Sequence, residues 1–283
     1  MALGRAFLER ALVAAHAAAD AAEAGIRARY RARDFAVETK ADATPVTEAD
    51  REAEVAIKRV LRAAFPDHAC YGEEEGREGD SPFLWLIDPI DGTKSFVRGY
   101  PFFSTQIALM HEGELVLGVS AAGEYGERAW AIEGGGAFLG TNAADGKSIR
   151  VAATDGFGPA SAISTGNLKS LARDAGRWNA LAGLVARTGR IRGYGDFLHY
   201  HLLARGAIDL VIESDLNILD VAPLVVVVRE AGGVFTTLDG GPIGLDLGSA
   251  LAGTPALHAL ALDALAAGPD PTPRQDLRPA DRG

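Results

Sequence analysis

Cysteine is almost missing from this chain. Cys70 stands alone in 283 residues, so no disulfide can form within it. That excludes a disulfide-stapled secreted scaffold and fits a reducing cytoplasm. Long basic runs are missing as well. With 28 Lys and Arg against 38 Asp and Glu, the formal net charge is −10, which removes the basic footprint that a nucleic-acid backbone needs. An anionic substrate would be repelled by the same charge, so chemistry on a phosphate must rely on local cations. No apolar stretch reaches the ~20 residues that span a bilayer. The alanine-rich N-terminus is interrupted by Arg5, Glu9 and Arg10, as in an amphipathic helix and unlike a signal sequence. Neither a membrane nor a nucleic acid is therefore expected as a partner. What the chain does have is 48% hydrophobic residues, ample for a large core.

The pattern predicts one helix over residues 2–33, then a second over "EADREAEVAIKRVLRAAF". Thr47 to Asp50, "TEAD", has the form of a capping box at its entry, and Phe65-Pro66-Asp67 stops it. From Thr105 to Phe138 short apolar runs alternate with glycine-containing turns, which suits antiparallel strands. Glycines 134–136 read as a turn, since no helix pattern follows them. The second half alternates instead. A strand "ASAIST", a helix over Leu168–Thr188, a helix from "GDFLHYHLLARG", a strand "IDLVIE", a helix "DVAPLVVVVREAGG" and a strand "VFTTLDG" argue for layered α/β packing. The organisation expected is an N-terminal α+β part over 1–150, a C-terminal α/β part over 151–267, and a proline-rich disordered tail over 268–283.

Chemistry concentrates in "LWLIDPIDGTKSF". Pro89 pushes Asp88 toward extended backbone and stiffens the bend, so Asp88, Asp91 and the Ile90 carbonyl can converge on one point. An all-oxygen set without His or Cys suits a hard cation, Mg²⁺ before Zn²⁺. Gly92 and Thr93 follow with backbone N–H groups and a hydroxyl that a phosphate can use. Taken alone, D-x-x-D-G reads as well as a tight turn capped by Asp88. Glu73, Glu74 and Glu75 read alone as a solvated loop, Asp220 as a helix cap and Asp50 as the acid of its capping box. Gathered in one cleft, such carboxylates stay ionised only with cations between them.

"WLIDPIDGTKSF" resembles the first signature of the inositol monophosphatase family, "LDVAPLVVVVREAGG" is similar to its second, and "GEEEG" and "PVTEAD" to its acidic and Thr-x-x-Asp segments. The resemblance runs from Leu12 to Leu265 in the family's order. It implies an α/β protein (α+β) built as a layered α-β-α-β-α sandwich, which hydrolyses a phosphate monoester with two or three Mg²⁺ ions. By motif match Glu73, Asp88, the Ile90 carbonyl, Asp91 and Asp220 are the metal ligands, with Glu74 as helper, and Gly92 and Thr93 hold the phosphate. Water is the implied nucleophile, contacted by Glu73 and by Thr93, which pairs with Asp50. The histidines need no role in this scheme, and a cytoplasmic homodimer is the implied assembly.

Leu219, Ser95 and Pro223 depart from the family's usual tryptophan, asparagine and small residue, and none of them removes a ligand. After Arg192 comes Gly193-Tyr194-Gly195-Asp196 in place of the small Gly-Ser/Thr-Ala stretch of inositol-specific members. That form, with Lys94 and "VRG", resembles the histidinol-phosphate phosphatase branch. Histidinol phosphate carries an ammonium and an imidazole, and Asp196 and Glu213 offer carboxylates to them. Glu213 would also suit inositol hydroxyls, and Asp196 could simply be a helix cap. An inositol-1-phosphatase, a broader sugar or nucleotide phosphatase, and a non-catalytic metal-binding protein stay open as alternatives.

Overall fold

The computed structural model describes residues 3–33, 35–39 and 45–267. Helix α1 (Arg5–Ala32) leads through the hairpin of β1 (Val37–Thr39) and β2 (Pro45–Thr47) to helix α2 (Glu48–Ala64). The expected capping box is there. Thr47 Oγ1 accepts from Ala49 N at 3.2 Å, and Asp50 Oδ2 accepts from Thr47 N at 2.8 Å.

Next come β3 (Ala69–Gly72), β4 (Gly76–Glu78), β5 (Phe83–Asp91), the short helix α3 (Thr93–Arg98), β6 (Ser104–His111), β7 (Glu114–Ala122), β8 (Glu127–Ile132), β9 (Ala137–Gly140) and β10 (Lys147–Ile149). They form one sheet in the order β10-β9-β8-β7-β6-β5-β3-β4. It is antiparallel except that β3 runs parallel to β5. Its strands read as continuous apolar runs because both faces are covered. Leu84 and Leu86 point to one core, while Trp85 and Ile87 point to another that α1 and α2 complete.

The second sheet holds β11 (Ala162–Thr165), β12 (Arg190–Arg192), β13 (Leu210–Ser214), β14 (Val234–Thr236) and β15 (Ser249–Gly253), in the order β12-β11-β13-β15-β14. Helices α4 (Ala175–Arg187), α5 (Asp196–Ala204), α6 (Ile218–Glu230) and α7 (Pro255–Ala267) flank it. Helices α5 and α6 lie between the two sheets, sharing a core with Leu86 on one side and Val211 on the other. The remaining face of the second sheet carries α4 and α7, with Leu184 and Leu257 against Ile212. The result is the expected α-β-α-β-α order.

Two expectations need correction. The single helix over Leu168–Thr188 is a 3₁₀ turn at Leu171–Arg173 followed by α4, because Asp174 turns extended there and its side chain accepts from Arg177 N at 3.0 Å. Helix α6 starts two residues before Asp220. Asn217 caps it, Asp220 is the acid of the capping box, and Pro223 lies inside the helix. The carbonyl of Pro223 sits so close to β7 that a Cβ at Gly118 would fall 2.4 Å from it. The tail over 268–283 lies outside the described residues.

Candidate active site

Strand β5 carries the chain from the core into a cleft between the two halves. Its register with β6 slips between Asp88 and Asp91, where Pro89 has no N–H to donate. The Pro89 carbonyl instead accepts from Thr105 Oγ1 at 2.8 Å, and Asp88 Oδ1 accepts from Ile90 N at 3.0 Å. Gly92 then turns the chain with a φ of 87°, where a Cβ would lie 2.8 Å from the Phe102 carbonyl. Only glycine meets both demands without strain. Thr93 opens α3, and its Oγ1 lies 3.0 Å from the Ile90 carbonyl and 3.4 Å from Asp50 Oδ1.

Asp88, Asp91 and Asp220 each offer a carboxylate oxygen within 4.8 Å of the others. Asp220 reaches this point from the first turn of α6. There it is also the acid of a capping box, accepting from Asn217 N at 2.8 Å and Asn217 Nδ2 at 3.0 Å. Asp91 Oδ2 accepts from Gln106 Nε2 at 3.3 Å and Ser104 Oγ at 3.4 Å, two partners that sequence reasoning missed. Glu73, Ile90, Gly92 and Thr93 line the same cavity, of about 530 Å³. The cavity continues to Asp196 and Asn167, and a smaller recess behind it reaches Glu213 and Tyr200.

Burial, and then the charges of Glu73, Asp91 and Asp220, push the Asp88 carboxyl well above the usual range. Burial followed by Asp196 and Asp220 does the same to Asp91. Asp220 is pushed up to about 7, burial again leading. Desolvated carboxylates this close hold protons unless a cation enters. The donors are all oxygen, buried and convergent, which fits Mg²⁺ and offers Zn²⁺ neither His nor Cys.

Asp196 does not cap α5. Gly195 stands at that position without a side-chain bond, and Asp196 takes a left-handed φ of 46°. Its carboxyl comes within 3.5 Å of where a Gly92 Cβ would be, and burial first of all raises its pKa to about 6. Glu213 accepts from Asn167 N at 3.1 Å and from the Tyr200 hydroxyl at 3.0 Å, and His199 Nε2 lies 3.1 Å from it. Burial raises the Glu213 pKa, yet His199 and these hydrogen bonds outweigh it and hold the carboxyl below its ordinary value. Tyr200 was not singled out from sequence, and His199 was given no role with the other histidines. Adjacent positions on a helix gave no sign that both would meet one glutamate. His201 turns away, as its spacing implies, to Ser120 Oγ at 2.9 Å and Glu127 Oε2 at 3.3 Å.

With a layered fold and these carboxylates in place, the chain belongs to the inositol monophosphatase family, whose model matches residues 8–268. Within that family it is 42% identical over 248 residues to the histidinol-phosphatase of Streptomyces coelicolor, covering 86% of this chain and 92% of that one. It is 41% identical over 262 residues to the histidinol-phosphatase of Mycobacterium tuberculosis, covering 91% and 98%. Among solved structures, the extragenic suppressor protein suhB from Bartonella henselae superposes with a TM-score of 0.79 at 31% identity, covering 92% of this chain and 98% of that one. Among the described residues no helix is long and apolar enough to cross a membrane.

Proposed function

We propose that this protein is a Mg²⁺-dependent phosphoric monoester hydrolase that converts L-histidinol phosphate to L-histidinol and phosphate, a step of histidine biosynthesis. The observation that carries the reading is one continuous cleft. Asp88, Asp91 and Asp220 meet beside Gly92 and Thr93, and the acids Asp196 and Glu213 stand further along. The first group suits a cation and a phosphate. The second suits an alcohol that bears an ammonium and an imidazole.

In this reading Glu73, Asp88, the Ile90 carbonyl, Asp91 and Asp220 hold two or three Mg²⁺ ions. Bound Mg²⁺ would supply Lewis-acid stabilisation of the phosphoryl oxygens and a more acidic water. Gly92 and Thr93 hold the phosphate by backbone N–H donors. Thr93, backed by buried Asp50, and Glu73 orient the attacking water, and Asp50 holds the hydroxyl's direction. No side chain becomes phosphorylated. The parts 1–150 and 151–267 then divide the labour: the first brings four of the five metal ligands and the phosphate donors, the second Asp220, Asp196 and Glu213. We also read the protein as a cytoplasmic homodimer. The reduced, buried Cys70 fits the compartment, and sedimentation tests the assembly.

Phosphate release from L-histidinol phosphate and from inositol 1-phosphate, with Mg²⁺ and with EDTA, tests the function. A Mg²⁺-dependent preference of at least about 100-fold in kcat/KM for histidinol phosphate is expected, since an unmatched buried carboxylate costs a few kcal/mol. A preference for inositol phosphate would overturn the substrate and keep the metal site. Release that persists undiminished in EDTA would overturn the metal site.

A further inference from the structure

Glu73 sits in a turn between β3 and β4, and a turn by itself does not hold a carboxylate steady. What holds this one is beneath it. On α2, Glu54 is fully buried and Lys58, one turn on, is 2% exposed. Glu54 Oε2 accepts from the backbone N–H of Glu74 at 2.8 Å, and Glu54 Oε1 accepts from that of Glu75 at 3.1 Å. Lys58 Nζ lies 2.7 Å from Glu54 Oε1, 3.0 Å from Glu75 Oε2 and 2.7 Å from Glu78 Oε1. Arg62 adds a second cation on Glu78. One carboxylate and one ammonium thus grip the turn on both sides of its tip.

The glycine before Glu73 belongs to the same device. A Cβ at Gly72 would fall 2.0 Å from Glu54 Oε1 and 2.3 Å from its carboxyl carbon, so the carboxylate reaches the turn only across a bare backbone. On the other side, Glu73 N donates to the Ile87 carbonyl at 3.2 Å, which ties the turn to β5 just ahead of Asp88. The grip and the metal-facing carboxylates are therefore joined through one short stretch of backbone.

We propose that Glu54 and Lys58 are positioning residues that preorganise the Glu73 turn for metal binding. Neither touches the metal, the phosphate or the water. They fix the turn before any ion arrives, so less ordering remains to be done on binding. This rests on the reading of Glu73 as a metal ligand.

Two variants break the grip differently. Glu54→Gln removes the charge and one of the two acceptors. Gly72→Ala keeps every charge and pushes the carboxylate aside by steric conflict. Four measurements are made on each folded variant and on the parent protein: hydrogen exchange of the Glu74 and Glu75 amides without metal, Mg²⁺ affinity by calorimetry without substrate, the Mg²⁺ concentration for half-maximal hydrolysis, and KM for the ester at saturating Mg²⁺. Exchange at least 10-fold faster, with Mg²⁺ binding at least 10-fold weaker and KM for the ester at saturating Mg²⁺ within 2-fold, is the expected result. A merely structural role would lower the melting temperature without that separation of Mg²⁺ affinity from KM. Unchanged Mg²⁺ affinity in either folded variant overturns the proposal alone. Absence of Mg²⁺ affinity in the parent protein overturns it together with the metal assignment. If Glu54→Gln does not fold, Gly72→Ala decides.

Discussion

Two groups of buried carboxylates lie side by side in this protein, and they differ in one respect. Glu54, with Glu75 and Glu78 at its edge, closes on Lys58, a cation the chain itself provides. Burial alone would lower the Lys58 pKa, but its bonds to Glu54, Glu78 and Glu75 raise it above the ordinary lysine value. The ammonium therefore stays charged at any pH of interest. Among the described residues Asp88, Asp91 and Asp220 form no such ion pair, and their carboxyls are driven upward. Oppositely charged neighbours favour the ionised form, and like charges with burial disfavour it. The first group is complete as folded. The second is complete only with a cation from outside, and that difference is the physical content of calling it a metal site.

The comparison is broken most severely by neutralising one acid of the second group. Asp91→Asn should lower turnover about 10⁴-fold, because the several kcal/mol that a metal ion contributes to the transition state depends on its ligands. The same variant should raise the stability of the metal-free protein at pH 7.5, by about 1–2 kcal/mol in urea unfolding, since Asp91 must on folding either take up a proton or keep a charge among like charges, and Asn does neither. Wild-type turnover in a folded Asp91→Asn protein would end the metal assignment. Neutralising the cation of the first group should act the other way on stability. Lys58→Met leaves Glu54 as an unpaired charge with no exposure, and removal of one partner of a buried pair costs about 3–5 kcal/mol. A loss of unfolding free energy in urea of less than a quarter of that would mean that the two groups are not distinguished by their cation.

Much of the second group was legible in the sequence and almost none of the first. Asp88, Ile90, Asp91, Gly92 and Thr93 lie within six consecutive positions, so a strand end with a proline brings them together whatever the rest of the fold does. Their relation to Glu73 and Asp220 came through motif resemblance, since nothing local brings α6 to β5. Asp50 and Asp220 posed a false choice. Each reads as a helix-capping acid or as a site residue. Both do cap their helices, while Asp220 also meets Asp88 and Asp91, and Asp50 lies 3.4 Å from the Thr93 hydroxyl. The spacing of Glu54 and Lys58 is that of any i, i+4 pair on a helix surface, and nothing local shows that the turn between β3 and β4 closes over them. The partners of Glu213 were hidden for a similar reason. Tyr200 and His199 project from α5, and the sequence does not state the angle at which that helix meets β13.

The smallest effect sharpens the comparison from the cationic side. His16, on α1, is buried edge-on against Trp130 at 5.1 Å, with Asp20 and Arg128 nearby. Its pKa falls to about 4, chiefly through burial and then through Arg128, against an opposing push from Asp20. Burial penalises whichever form is charged, so it moves the imidazole down where it moved Asp88 and Asp91 up. The sign for stability follows from proton counting. Below pH 6.5 the unfolded imidazole takes a proton that the folded one refuses, so stability present at neutral pH is lost as the pH falls toward 4. Between pH 7.5 and 4.5 the loss from His16 should be about 2 kcal/mol, after allowance for the screening that Asp20 and solvent provide. His16→Phe keeps a ring against Trp130 and has nothing to titrate. Its stability should therefore fall less than the wild type's over that interval, by the same ~2 kcal/mol, when both are unfolded in urea at the two pH values. Parallel losses in the two proteins would show that His16 reaches solvent readily enough to be protonated in place, and that burial on this face of α1 is weaker than burial at the metal site.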